Sequence, residues 1–385
     1  MLRFYSFCAV MLALLSALVV CAPAKEKEKD KNNKKSIFAN RTGANKARAL
    51  NAFGATDESE QAVRAGLGWL LRQQMADGRW KIDGNFPDKA NGGEGTDVAA
   101  TAMAILPILG AAYTHKSPRK GESAPYAKAI QNGLQFLVRS QNPKTGELGK
   151  GGYAHGLAAQ ALCEAYGMTK DPTLKGSAQF AVFFLVRAQH DQGGWRYSAN
   201  SAGDLSVTGW QLVALHIAQR SGLDVPKNTL KGGIAFLDSC CDMDKEAYGY
   251  LDNKGTSPTC TAIGLLCRQH LQAWGPNHPR LTKGIKDHLP LWRAGKPANC
   301  YMNYYAAQTL FHFGGDPWKN WSGPVRDRLI KSQDESKNLN LAGSWHDPND
   351  QHARLGGRLM QTSFNLLILE TYYRYLPLHG KAGDE

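Results

Sequence analysis

The chain has 385 residues, of which 43% are hydrophobic and 21% charged, and its formal net charge is +13. That balance excludes a disordered protein and allows a large buried core. Forty glycines and seventeen prolines without a G-X-Y period exclude collagen and point to many short connections.

Residues 1–24 read as an export signal. Arg3 supplies the positive start, residues 9–20 the apolar run, and Ala22-Pro23-Ala24 a small-residue cleavage site before Lys25. The run falls short of the roughly 20 residues that span a bilayer. The expected location is therefore periplasmic or extracellular. Cys21 offers lipoprotein anchoring as an alternative, although Val20 is bulkier than the small residue usual before such a cysteine. Residues 25–58 read as a basic, disordered linker. Within it, residues 25–50 carry nine Lys or Arg and three acids. Together with Arg3, the first fifty residues thus hold +7 of the +13. No helix-turn-helix, RRM or zinc-finger spacing accompanies this charge, so no nucleic-acid partner is expected. No second apolar run of 18 residues exists, so the mature chain is expected to lack a transmembrane helix.

From residue 59 to 378 one unit recurs about six times. An amphipathic helix ends in an apolar pair and a glutamine, as within residues 62–80. A Gly-containing loop ending in an aromatic follows, and then a second helix that is apolar nearly all round, as in residues 96–113. Later units pair 129–148 with 152–167, 178–195 with 204–222, 230–250 with 257–271, 281–292 with 299–315, and 325–334 with 358–376. The apolar pairs at Leu70, Leu137, Leu185, Leu237, Leu289 and Ile330 are spaced by 67, 48, 52, 52 and 41, a period near fifty. A helix with one apolar stripe belongs on the outside, and one apolar all round belongs inside. Six of each predict a closed all-α double-layer barrel, an α/α toroid. An open solenoid would need polar end repeats, and Leu366-Leu367-Ile368-Leu369 is not polar. Residues 379–385 are expected to be a flexible tail.

Two loops carry the same spacing, Gln74-x3-Gly78-x-Trp80 and Gln189-x3-Gly193-x-Trp195. A looser copy runs from Gln141 to Leu148, and a stretched one from Gln333 to Trp345. A glutamine at a helix end can satisfy orphan backbone groups, and a tryptophan can pack across the loop onto the neighbouring hairpin. The element resembles the Q-x3-G-x-W repeat of squalene/hopene cyclases, so the chain resembles a single-toroid prenyltransferase/squalene-oxidase repeat protein over residues 60–376. The resemblance implies a terpenoid cyclase/protein prenyltransferase-like topology and an isoprenoid or other apolar ligand. It also implies an acidic D-x-D-D-T motif. Here that stretch reads Asp204-Leu205-Ser206-Val207-Thr208, where Ser206 and Val207 replace the two later acids. A serine does not protonate an alkene, so cyclisation is not expected from it. The prenyltransferase branch would begin a zinc site with D-x-C, which Asp238-Ser239-Cys240 matches in spacing alone. Zinc therefore stays open as a cofactor, and no metal site is assigned.

In such a toroid the inner helices start at one mouth. Asp97, Asp204 and His155 are the candidate catalytic residues there. Tyr153, Thr208, Trp210, Cys260, Tyr301, Asn303, Tyr304 and Gln361 are the candidate cavity residues. Helix starts favour anions, and aromatic walls suit an isoprenoid. The same residues also read as caps and core tyrosines meeting in a filled centre. Two further functions stay open: a carbohydrate-active α/α toroid, which needs paired carboxylates, and a scaffold for a protein partner. The six cysteines after the signal, Cys163, Cys240, Cys241, Cys260, Cys267 and Cys300, form no compact disulfide framework and read as small buried thiols.

Overall fold

The computed structural model describes residues 36–84, 86–93, 95–294 and 298–379. The expected export signal with Cys21, linker residues 25–35 and tail residues 380–385 lie outside them.

Twelve helices alternate outside and inside. The outer ones are α2 (Asp57–Arg72), α4 (Ser123–Ser140), α6 (Pro172–Ala188), α8 (Lys227–Cys240), α10 (Pro279–Ala294) and α12 (Gly315–Ser332). The inner ones are α3 (Asp97–Gly110), α5 (Gly152–Thr169), α7 (Leu205–Arg220), α9 (Pro258–Gln272), α11 (Cys300–Phe313) and α13 (Ala353–Leu369). Each inner helix packs on the next, and α13 returns to α3 while α12 returns to α2. The ring is closed, as the apolar last helix requires. The inner helices are buried along almost their whole length, whereas α2 and α4 bury one stripe. One short hairpin interrupts the pattern: β1 (Cys241–Asp242) pairs antiparallel with β2 (Ala247–Tyr248).

A repeated hydrogen-bond device joins the units. The Gln74 side-chain amide donates to Gly78 O in its own loop and to Ala129 O on the next outer helix, each at 2.9 Å. Gln189 does the same to Gly193 and Thr229, Gln333 to Gly343 and Ala62, and Gln141 to Gly146 and Ser177. The Gln333 bond is the one that closes the ring. The indole N–H of Trp80 turns back to Leu70 O, as Trp195 does to Leu185 and Trp345 to Leu329. The glutamine thus reaches the neighbouring hairpin by hydrogen bond. The tryptophan bonds to its own helix, and its ring covers a glycine of the next one: a Cβ at Gly133 would lie 3.0 Å from the Trp80 ring. The motif glycine is dictated by conformation and space. Gly193 has φ +89°, and a Cβ there would collide with Gly232 O.

Two boundaries differ from the sequence reading. The expected linker 25–58 is folded from residue 36 onward: a 3-10 turn (Ala39–Arg41) and α1 (Gly43–Phe53) precede α2. The reason is Arg41, whose guanidinium is buried against Glu164 at 2.7 Å and donates to Leu109 O and Arg374 O. Helix α12 begins at Gly315, ten residues earlier than expected. Pro317 falls in its first turn, where a proline costs little, and Pro324 is carried inside the helix. Inner helix α13 kinks at Gly357, with φ +59°, so its regular part starts at the expected residue 358. A last short helix, α14 (Thr371–Arg374), leads into the segment that ends the described chain.

Candidate functional site

Loops from outer to inner helices all lie at one end, the mouth, where the inner helices begin. Asp204 is the N-cap of α7: its Oδ1 accepts Val207 N–H at 2.9 Å and the Ser206 hydroxyl at 2.7 Å. Its Oδ2 is fully buried, has no hydrogen-bond partner and faces Arg196 Nε at 3.6 Å. Ser206 Oγ in turn shares a hydrogen bond of 2.6 Å with the Tyr153 hydroxyl, and Tyr301 OH donates to Ser206 O. Burial pushes both phenols above their ordinary range. Tyr197, about half exposed, lies 6.0 Å from the Tyr153 ring and shares a 2.8 Å hydrogen bond with Tyr250. Tyr153, Ser206, Asp204 and Arg196, flanked by Tyr197, Tyr250 and Tyr301, thus form one connected cluster of polar and aromatic groups at the mouth.

Below it the barrel is filled. Trp210 donates to Tyr301 OH, stacks on Tyr304 at 5.3 Å and lies 6.0 Å from Phe364, while Tyr305 meets it edge-on. Trp210, Tyr304 and Tyr305 are all essentially inaccessible. They form an aromatic plug, which places Trp210 and Tyr304 in the core and away from an open cavity. Thr208 is also taken up by the fold. It accepts Trp195 N–H and donates to Trp195 O. Thr101, Thr261 and Thr362 receive the backbone N–H of Trp80, Tyr248 and Trp345 in the same way.

His155 occupies that same slot in the second unit. Its Nδ1 accepts Leu148 N–H at 2.9 Å and its Nε2 bonds to Ala181 O. Burial pushes it down to about 4, so it is neutral and fixed, a structural residue rather than a proton carrier. Asp97 is partly exposed and paired with Arg79 at 3.3 Å. Gln361 is buried and hydrogen-bonded to the Asp347 backbone, so it too braces a loop. Cys260 is buried beneath the mouth, and burial pushes its thiol up. Asn303 is buried, with Oδ1 lacking a partner.

Asp238 of the D-x-C spacing ends outer helix α8 and pairs with Arg268 at 2.6 Å. Among the described residues, no group of three His, Cys, Asp or Glu side chains is arrayed for a metal ion. Arg196, Tyr197 and Tyr250 were not singled out in the sequence. Their only signal was adjacency, since Arg196 and Tyr197 directly follow the motif tryptophan Trp195.

Neither a model of a protein family nor a curated protein matches the chain. Solved structures do. An α-1,6-mannanase from Salegentibacter, in complex with α-1,6-mannotetrose, is 13% identical with a TM-score of 0.59, over 83% of this chain and 100% of that one. A type II terpene cyclase from Scytonema, in complex with geranylgeranyl dihydroxybenzoate, is 13% identical with a TM-score of 0.55, over 86% and 99%. An α-amylase from Clostridium perfringens is 11% identical with a TM-score of 0.55, over 81% and 98%. At such identities the likeness is one of fold: this chain forms a terpene-cyclase-like α/α toroid.

Proposed function

We propose that the protein is exported and binds an isoprenoid or other apolar ligand across the mouth of the toroid, without cyclising it. The observation behind this reading is where apolar surface lies. Among the described residues, six of the eight exposed large hydrophobics sit on mouth-end loops or at an inner-helix start: Met75, Tyr197, Met243, Leu251, Leu339 and Leu355. Apolar surface gathered at one end is a binding feature, whereas scattered apolar residues are ordinary. The aromatic plug keeps such a ligand at the mouth and out of the barrel. Ser206 stands where the resemblance would require the protonating acid, and its hydroxyl, hydrogen-bonded to Asp204, cannot protonate an alkene.

A glycan is the second reading, favoured by the half-exposed Tyr197 face beside Tyr153 and Tyr250. Hydrolysis would need two free carboxylates. The evident pair, Asp97 and Asp204, each face an arginine.

Organic extraction of the purified mature protein, followed by mass spectrometry, tests the proposal: a released apolar molecule is expected. Thermal shifts with farnesol and with α-1,6-mannotetraose separate the two readings. A shift with the saccharide alone transfers the site to glycans. No extracted molecule and no shift leaves a scaffold for a protein partner.

A further inference from the structure

Beside Tyr153 and Tyr197, a small cavity lies between the start of α5, the end of α6 and the loop that carries Trp195. Its walls include Phe184, Leu185, Trp195 and Tyr197, and its polar lining includes Arg196 and Gln211. Gln211 is 1% exposed. Its Nε2 donates to Gly152 O at 2.7 Å, while its Oε1 has no partner. Arg196 Nε likewise has no hydrogen-bond partner, and Asp204 Oδ2 at 3.6 Å holds the guanidinium in place. A buried side chain with an unpaired acceptor and a guanidinium anchored through its Nε by Asp204 thus line one apolar-walled space. Leaving such an acceptor unpaired is costly, so the space suits a group that both donates and accepts.

The free volume is about 20 Å³. A single water needs roughly 10–15 Å³ by that measure, so one hydroxyl fits and a phosphate does not. Glu147, half-buried in the same lining, adds a carboxylate that repels anions.

We propose that this cavity is the head-group subsite of the mouth and takes a neutral hydroxyl, which donates to Gln211 Oε1 and accepts from the Arg196 guanidinium. The ligand class is therefore an alcohol with an apolar tail rather than a prenyl diphosphate. This rests on the mouth-ligand reading above.

Titration calorimetry of the full mature chain in one nonionic detergent, with farnesol, farnesyl diphosphate and the hydrocarbon farnesene, tests it. Farnesol is expected to bind at least tenfold more tightly than the other two. Gln211→Leu and Arg196→Gln should each weaken farnesol at least fivefold and leave farnesene unchanged. Arg196 is about one-third exposed, so its variant folds even where loss of the Gln211–Gly152 bond proves disruptive. Equal binding of farnesol and farnesene, or farnesol affinity indifferent to both variants, overturns the subsite and leaves the mouth reading standing. Tighter binding of the diphosphate does the same. Binding of none of the three overturns both.

Discussion

The two ends of the toroid are built for different purposes. At the mouth, loops carry exposed apolar side chains, Asp204 keeps an unpaired oxygen, and a small cavity is left unfilled. At the base, where the inner helices end, the segments before α2 and after α13 meet. Asn40 donates to Tyr375 O, and Arg41 and Arg374 bind the two oxygens of Glu164 at 2.7 and 2.9 Å. The same arginines donate to Leu109 O and Leu106 O, carbonyls at the negative end of α3. Among the described residues, none of the large exposed hydrophobics lies at this end. The inference is that the Arg41–Glu164–Arg374 network closes the base, whereas the mouth gathers the exposed apolar surface that a ligand can cover.

The largest break in that contrast is Glu164→Leu. It leaves two buried guanidiniums facing each other, and removing one partner of a buried ion pair costs about 3–5 kcal/mol. Urea denaturation should show a loss of this size or an unfolded protein. A loss below about 1 kcal/mol would mean that the base network does not hold the end closed.

Next is the pH dependence of the base. His216 stacks on His270 at 4.2 Å, and His312 meets His270 edge-on at 5.5 Å. Burial, and then Arg220, pushes His216 down to about 4. Burial, and then His216 and His379, pushes His312 down to about 3. The unfolded chain titrates near 6.5. As pH falls below about 6.5, the unfolded state binds protons that the folded state refuses, so stability falls until roughly pH 4. For His216 alone the effect is on the order of 3 kcal/mol. Denaturation midpoints should be flat from pH 8 to 7 and fall from 6.5 to 4.5, less steeply in His312→Leu. An equal slope in that variant would place the acid sensitivity elsewhere.

A smaller effect is expected at the joint between units. Gly193→Ala puts a Cβ at positive φ against Gly232 O, and should cost roughly 2–3 kcal/mol by denaturation. Gly176→Ala, with nothing within 4 Å of the added atom, should cost well under 1 kcal/mol in the same experiment. Similar losses in the two would deny the joint its special role.

The ring was legible in the sequence because each unit repeats its own instructions. Glutamine and glycine recur in four loops, with tryptophan in three of them, and the glutamine makes the same bond to the glycine in each despite the different loop lengths. What stayed illegible depended on partners far along the chain. Arg41 looked like one more charge in a basic run, because Glu164 lies 123 residues away. Pro324 disguised the length of α12. His155 looked catalytic because histidine is chemically versatile. Its slot becomes recognisable only when Thr101, Thr208, Thr261 and Thr362 are seen receiving the same backbone N–H. The aromatic residues of the centre were read from sequence both as walls and as filling. Helix spacing places Trp210 and Tyr304 inside but does not say how closely their rings stack, and contact distance alone separates the two readings.

The smallest effect on stability is expected where the ligand is placed. Tyr153→Phe removes one hydroxyl from a hydrogen bond to Ser206, at a half-buried position that water can partly satisfy, so its cost should stay near 1 kcal/mol. The ring and its packing against Tyr197 remain. If the mouth were merely another closed end, that substitution would be the whole story, and a ligand shift in melting temperature would be the same in variant and parent. If the mouth binds farnesol, Tyr153→Phe should instead reduce the farnesol-induced shift while leaving the unliganded melting temperature within a few degrees of the parent. Glu164→Leu should do the reverse: it lowers the unliganded melting temperature and preserves whatever shift the folded fraction shows. Only opposite responses at the two ends make the division of labour functional rather than a difference in packing.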